Sequence, residues 1–142
     1  MARTATKHVE ESNEAKLERI GANAYRVIAE MVTAMRAADE SEDQSAIEAA
    51  REAIEQDPLS VEVRGGWRNA GEMDDGTPEE FKILLGTGGP AVRIVGELNR
   101  GEVTSARLEA QDWFLPWTEY RGGPSDYESV LLNYCRCFVF GE

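Results

Sequence analysis

The apolar residues of this chain change their spacing at Asp57-Pro58, and that change decides the fold class. Before it, Leu17, Ile20, Ala24, Val27, Met31 and Ala34 recur at alternating intervals of three and four, the period of a packed helix. Ile28, Val32 and Met35 widen the stripe. The spacing predicts a helix from about Ser12 to Ala38, preceded by residues 1–11, which carry no ordering signal. A helix of ~26 residues at ~1.5 Å each spans about 40 Å, long for one side of a domain this size. The stripe can pack on the chain's own sheet or on a second copy; the second is the expectation, with Leu17, Ile20, Ala24, Val27 and Met31 as a homodimer seam. "ADESEDQ" ends the pattern. Ser41 with Gln44 reads as a capping box opening a second helix to about Gln56, with Ile47, Ala50 and Ile54 as its apolar stripe. Asp57-Pro58 stops it, because a residue before proline is pushed out of the helical region.

From Leu59 the period is two. Leu59, Val61 and Val63 alternate with Ser60, Glu62 and Arg64, the pattern of a half-buried strand. "FKILLG" and "AVRIVGEL" read as two further strands, "NRG" at Asn99–Gly101 as a hairpin loop with Gly101 at positive φ, and "EVTSARLEAQ" as the returning strand. After Gly122-Gly123-Pro124, Ser125 and Glu128 read as a second capping box. Tyr127, Val130, Leu131, Tyr134, Cys135 and Phe138 then line one face of a helix, and "FVFGE" is expected to close the chain as a short strand. Grouped helices beside a meander of strands predict an α+β fold. Its helical N-terminal region covers 1–57, and its antiparallel sheet with a C-terminal helix covers 58–142. The two are expected to form one compact unit.

Charge bounds the partners. Fifteen Lys and Arg against 27 Asp and Glu give a net −12. Residues 1–58 hold 7 basic and 13 acidic side chains, and residues 59–142 hold 8 and 14, so each part carries −6. Such a surface repels nucleic acid, which is bound by neutralising its phosphates, and favours basic protein surfaces. No apolar run approaches the ~20 residues of a membrane span, and the N-terminus lacks the apolar core of a secretory signal. A cytoplasmic location is the expectation. Two cysteines two residues apart, Cys135 and Cys137, do not form an unstrained disulfide. With His8 as the single histidine, no zinc site is expected.

The chemical motifs weaken on inspection. "LLGTGGPAVRIVGEL", Leu84 to Leu98, holds three glycines, but a β-branched strand pattern follows them rather than a helix, and no lysine follows as in a Walker loop. The glycines are read as a turn. Asp112 and Glu119 flank "WFLPW" as a glycosidase pair might, although 27 acids place some beside aromatics by chance. "EMDDGTPEE" lacks the spaced ligands of a calcium loop. No catalytic residue, cofactor or metal is assigned. "LEAQDWFLPWTEY", Leu108 to Tyr120, is the most distinctive stretch: Pro116 excludes a central strand, and Trp113 and Trp117 are the aromatic type favoured as anchors in binding patches. Asp74, Asp75, Asp112, Trp113, Trp117 and Glu119 are the candidate partner-binding residues. The competing reading has the rings of Trp113, Phe114 and Trp117 roofing the core.

"EQDPLSVEVRGGW", "EEFKILLGTGGPAVRIVGEL", "ARLEAQDWFLPWTEY" and "LLNYCRCFVFGE" together resemble a small acidic domain carried by bacteriophages and prophages. The resemblance covers about Gln56 to Glu142. It implies no enzymatic activity. With the helical N-terminal half, the chain resembles anti-CRISPR inhibitors of type I systems. That implies a protein in the infected bacterial cytoplasm whose acidic surface occupies a basic surface of a surveillance complex, blocking target DNA binding or nuclease recruitment. Two other readings stay open: another phage anti-defence or host-takeover protein, such as an antirestriction DNA mimic, and a small carboxylate enzyme.

Overall fold

The computed structural model describes residues 11–73, 76–87, 90–113 and 115–140. In chain order these form α1 (Asn13–Ser41), α2 (Gln44–Glu55), β1 (Ser60–Arg64), β2 (Glu80–Gly86), β3 (Pro90–Asn99), β4 (Glu102–Asp112), β5 (Thr118–Glu119) and α3 (Tyr127–Cys135). The strands lie in sequence order in one sheet, and every neighbouring pair is antiparallel. The fold is α+β, as the change of period predicts. The reading of residues 1–10 as unordered lies outside the described residues.

Ser12 caps α1, its hydroxyl accepting from the Ala15 amide at 3.0 Å. The helix runs three residues past the predicted end and stops at Glu42, whose φ of 60° is left-handed. Its buried face is Gly21, Tyr25, Ile28, Val32, Met35 and Ala38. The residues expected to widen the stripe thus lie at its centre, against the chain's own sheet. Of the expected seam, Leu17, Ile20, Ala24 and Met31 are half-buried, with Ala24 and Met31 packed on this core, and Val27 is 38% exposed. Gly21 has a steric role, because a Cβ there would stand 2.8–2.9 Å from the Tyr120 side chain.

Two capping expectations are corrected. Asp43, not Ser41, caps α2: its carboxylate accepts from the Ser45 and Ala46 amides at 3.0 and 3.4 Å. Ser41 is still the last residue of α1, where its hydroxyl donates to the Ala38 carbonyl. A carboxylate is also the stronger acceptor for two amides. At α3 the cap position belongs to Asp126, whose side chain makes no capping bond. Ser125 thus stands one place before the cap, and Glu128 one place short of the position that would close a box with it. The helix ends at Cys135, and Arg136–Phe138 form a turn, because the apolar spacing outlasts the helix by one contact. Residues 138–140 form no strand; instead Phe140 lies 4.7 Å from Phe81, centroid to centroid. The rest of the predicted closing strand, 141–142, lies outside the described residues.

Phe81, Ile83, Ile94, Leu98, Val103, Ala106 and Leu108 bury one face of the sheet under α1 and α3. Phe81 lies opposite Gly96, where a Cβ would collide with the Phe81 ring and the Ser105 carbonyl. The predicted hairpin loop is present, with Arg100 and Gly101 both at positive φ (55° and 83°), the arrangement of a tight primed turn. β1 departs from expectation. Val61 and Val63 pair with the buried Ile83 and Phe81, yet they are 39% and 46% exposed, and Leu59 is 60% exposed. The helical layer is centred over β3 and β4, so the alternation of β1 marks a face that the chain's own helices leave open.

Candidate interaction surface

The aromatic stretch divides among three surroundings. Asp112 ends β4 on the helix side, where Lys16 of α1 approaches its carboxylate at 3.3 Å. Trp113, next in the chain, is 67% exposed. Trp117 is half-buried on the opposite face of the sheet, with the Arg93 guanidinium 4.1 Å above its ring, a cation–π contact. Tyr120 turns inward and joins Tyr25 and Tyr127 in a cluster with centroids 5.6–6.0 Å apart. Burial raises the hydroxyl pKa of Tyr25 and Tyr120 and pushes that of Tyr127 up to about 12. The roofing and the exposed roles are therefore taken by different rings; Phe114 lies outside the described residues.

On the outer sheet face the charges are matched. Glu109 is 8% exposed, and its two oxygens accept from Arg93 Nε at 2.8 Å and Arg107 Nε at 3.0 Å. Two arginines on one buried carboxylate, one of them roofed by Trp117, compensate its loss of water. Glu119 stands beside Glu109 in the β4–β5 register. Towards the other edge Lys82 faces Glu62 at 3.5 Å, and Arg64 pairs with Glu80. With Glu97, which stands beside Glu80 in the β2–β3 register, this face sets four cations against five carboxylates and is close to neutral.

The acid excess lies elsewhere. From Arg36 to Asp57, across the end of α1 and all of α2, eight carboxylates stand against two arginines, a net −6 out of −12. All eight belong to exposed residues except Asp57, which accepts a 2.7 Å hydrogen bond from the Tyr134 hydroxyl. Glu48, Glu52 and Glu55 line one face of α2 while Ile54 is buried on another. Counting charge by halves of the chain hid this concentration; "ADESEDQ" followed by acids at four- and three-residue steps was the available signal. Asp74 and Asp75 lie outside the described residues, and Asp112 and Glu119 point to opposite faces of the sheet.

That last arrangement brings no carboxylate pair across a cleft. Among the described residues no group of three or more His, Cys, Asp or Glu is placed to hold a metal ion. Cys135 is buried and Cys137 half-buried; both are free, and burial raises both thiol pKa values, which disfavours the reactive thiolate. β2 enters the glycine-rich segment and its antiparallel neighbour β3 leaves it, with no helix N-terminus among the described residues there to meet a phosphate; Gly88 and Gly89 themselves lie outside the described residues. No described helix is long and apolar enough to cross a membrane. No family model, no curated protein and no solved structure matches the chain.

Proposed function

We propose that the chain is a non-enzymatic inhibitor that acts by protein–protein contact, presenting the acidic end of its helical layer to a basic protein surface. The concentration of −6 on the α1–α2 end carries this reading. A one-signed exposed patch steers encounter with a basic partner and disfavours nucleic acid. Trp113, exposed beside Asp112 at the Lys16 end of α1, is an aromatic suited to anchor a second part of such a contact, away from the acidic end. The resemblance to phage anti-CRISPR proteins supplies the target: a type I surveillance complex, at the surface that receives target DNA or the recruited nuclease. The mechanism uses no cofactor.

The experiment is surface binding at two salt concentrations, on the purified surveillance complex and on bare duplex. Native protein is expected to bind the complex, more weakly at high salt, and to leave the duplex alone. Reversing Glu48 and Glu52 to Lys should slow association by about tenfold, because exposed charges act mainly on the encounter rate. Trp113→Ala should instead speed dissociation. Tight binding to bare DNA, or binding indifferent to both salt and charge reversal, would overturn the proposal. Inhibition that persists without any Cas protein would point to a DNA mimic.

A further inference from the structure

The sheet ends at β1, and no described strand pairs with its outer edge. Such an edge offers unpaired backbone groups to another chain unless a bulge, proline or inward charge blocks it, and "SVEVR" contains no proline or inward charge. On the helix side of this strand Leu59, Val61 and Val63 are 60%, 39% and 46% exposed, and Trp67 just beyond it is fully exposed. We propose that a second copy of the chain occupies this edge, β1 pairing antiparallel with β1 about a twofold axis at Val63.

The charges select both the occupant and the register. With Val63 opposite Val63, Glu62 faces Arg64 of the second copy, and Arg64 faces its Glu62. Each already has an opposite charge on its inner side: Lys82 at 3.5 Å from Glu62, and Glu80 paired with Arg64. The joined outer face then reads Lys82, Glu62, Arg64 of the second copy, Glu80 of the second copy, alternating in sign across the seam, and the twofold repeats the series. Centring the pair on Glu62 instead would set Glu62 against Glu62, a destabilising arrangement. On the helix side the chosen register brings the two Val63 side chains together and sets Leu59 against the segment of the second copy that carries Trp67. A charge pattern that is its own complement favours a second copy over an unrelated strand.

The test is mass in solution, by sedimentation or light scattering at high micromolar concentration. Native protein should have twice the chain mass of 15.7 kDa. Glu62→Arg and Arg64→Glu each set like charges across the seam twice and should weaken self-association about 10- to 30-fold. Mixed together, the two variants should restore the dimer, since each pair across the seam then again joins an arginine to a glutamate. Both positions are exposed, so each variant should keep the native circular dichroism, with a melting temperature lowered only by the lost association. A native monomer, or variants that dimerise alone as well as the native chain, or a mixture that stays monomeric, would overturn the proposal. Dimers that survive both reversals but dissociate on Val27→Glu would place the seam on α1.

Discussion

Tyr127→Phe removes one oxygen and tests how the sheet is closed beneath the helices. At Leu108 the ladder between β4 and β5 runs out. The Leu108 carbonyl accepts from the Tyr120 amide at 2.8 Å, but its amide donates to the Tyr127 hydroxyl at 2.7 Å. A side chain of α3 thus supplies the acceptor that another residue of β5 would have supplied. Leu108 is 0% exposed, so water does not replace the lost oxygen without opening the core. An unsatisfied buried amide costs about 1–3 kcal/mol, and the ring contacts to Tyr25 and Tyr120 are retained. Roughly a tenth to a half of a typical stability of about 5–15 kcal/mol is then at stake. Urea unfolding followed by circular dichroism should show a loss of about 1.5–2.5 kcal/mol at unchanged slope. Tyr134→Phe is the control. Its hydroxyl donates to the Asp57 carboxylate, a bond of a kind worth about 1.5–3 kcal/mol, but Asp57 is half-buried and regains water, so the loss should fall at or below the low end of that range. If Tyr127→Phe costs less than Tyr134→Phe, the Leu108 amide has another way to be satisfied and the reasoning fails.

Gly21→Ala should destabilise by about 1–3 kcal/mol, because overpacking against Tyr120 outweighs a helix-propensity gain of about 1 kcal/mol; a thermal melt reads the sign, and a more stable variant would show that Tyr120 moves aside. At alkaline pH the tyrosine cluster is one of several buried groups whose ionisation costs stability, since burial also raises the Tyr134 hydroxyl and both thiols. The folded pKa of Tyr127, about 12, lies above the value of about 10 expected in the unfolded chain, so the stabilisation is complete below pH 10 and is lost as pH rises towards 12. Tyr25 and Tyr120 shift in the same direction and add to the loss. Melting temperatures should therefore fall between pH 10 and 12, and the fall should lessen in Tyr127→Phe.

The fold class was legible because it rests on periodicity. Spacings of three and four up to Met35, and of two after Leu59, report local geometry that tertiary packing did not override. The face that α1 buries was less legible. Its apolar stripe is broad, and sequence spacing alone does not choose between Leu17–Ile20–Ala24–Val27 and Gly21–Tyr25–Ile28–Val32. Tertiary contact decides it: Gly21 admits Tyr120, and the cluster with Tyr127 draws that side inward. Capping boxes failed for a different reason, since motif spacing does not reveal which residue leaves helical geometry first. The interaction surface was read least well. "LEAQDWFLPWTEY" is distinctive as a string, but strand alternation sends Asp112 to the helix side and Glu109 to the outer face, and a bend then separates Trp113 from Trp117 and Tyr120. Only the three-dimensional course of α1 into α2 gathers Asp39, Glu40, Glu42 and Asp43 beside Glu48, Glu52 and Glu55.

The proposed contact of the acidic end with a basic partner and the proposed pairing of β1 with a second copy make opposite demands on charge, and they fall in different places on the fold. Two patches of −6 repel each other, whereas the lattice around Glu62 and Arg64 is balanced and permits close approach. The chain joins the two regions through Asp57-Pro58-Leu59, so their separation matters. In the Val63-centred register, Leu59 lies four residues from the twofold, which at ~3.3 Å per residue sets the two entry points about 27 Å apart. That is more than three times the Debye length of ~8 Å at physiological salt, so repulsion between charges at the two entry points is largely screened. The twofold stands perpendicular to the sheet, so both helical layers face the same side and present two acidic ends to one target. Bivalent engagement raises avidity without any new contact, provided that the target offers basic surfaces at a matching spacing. Glu62→Arg separates the two roles, because it divides the pair and leaves the acidic helices untouched. Its association rate per chain should match the native value, and its dissociation from an assembled, repeating target should be faster. Equal dissociation rates for Glu62→Arg and the native chain would mean that one acidic end suffices.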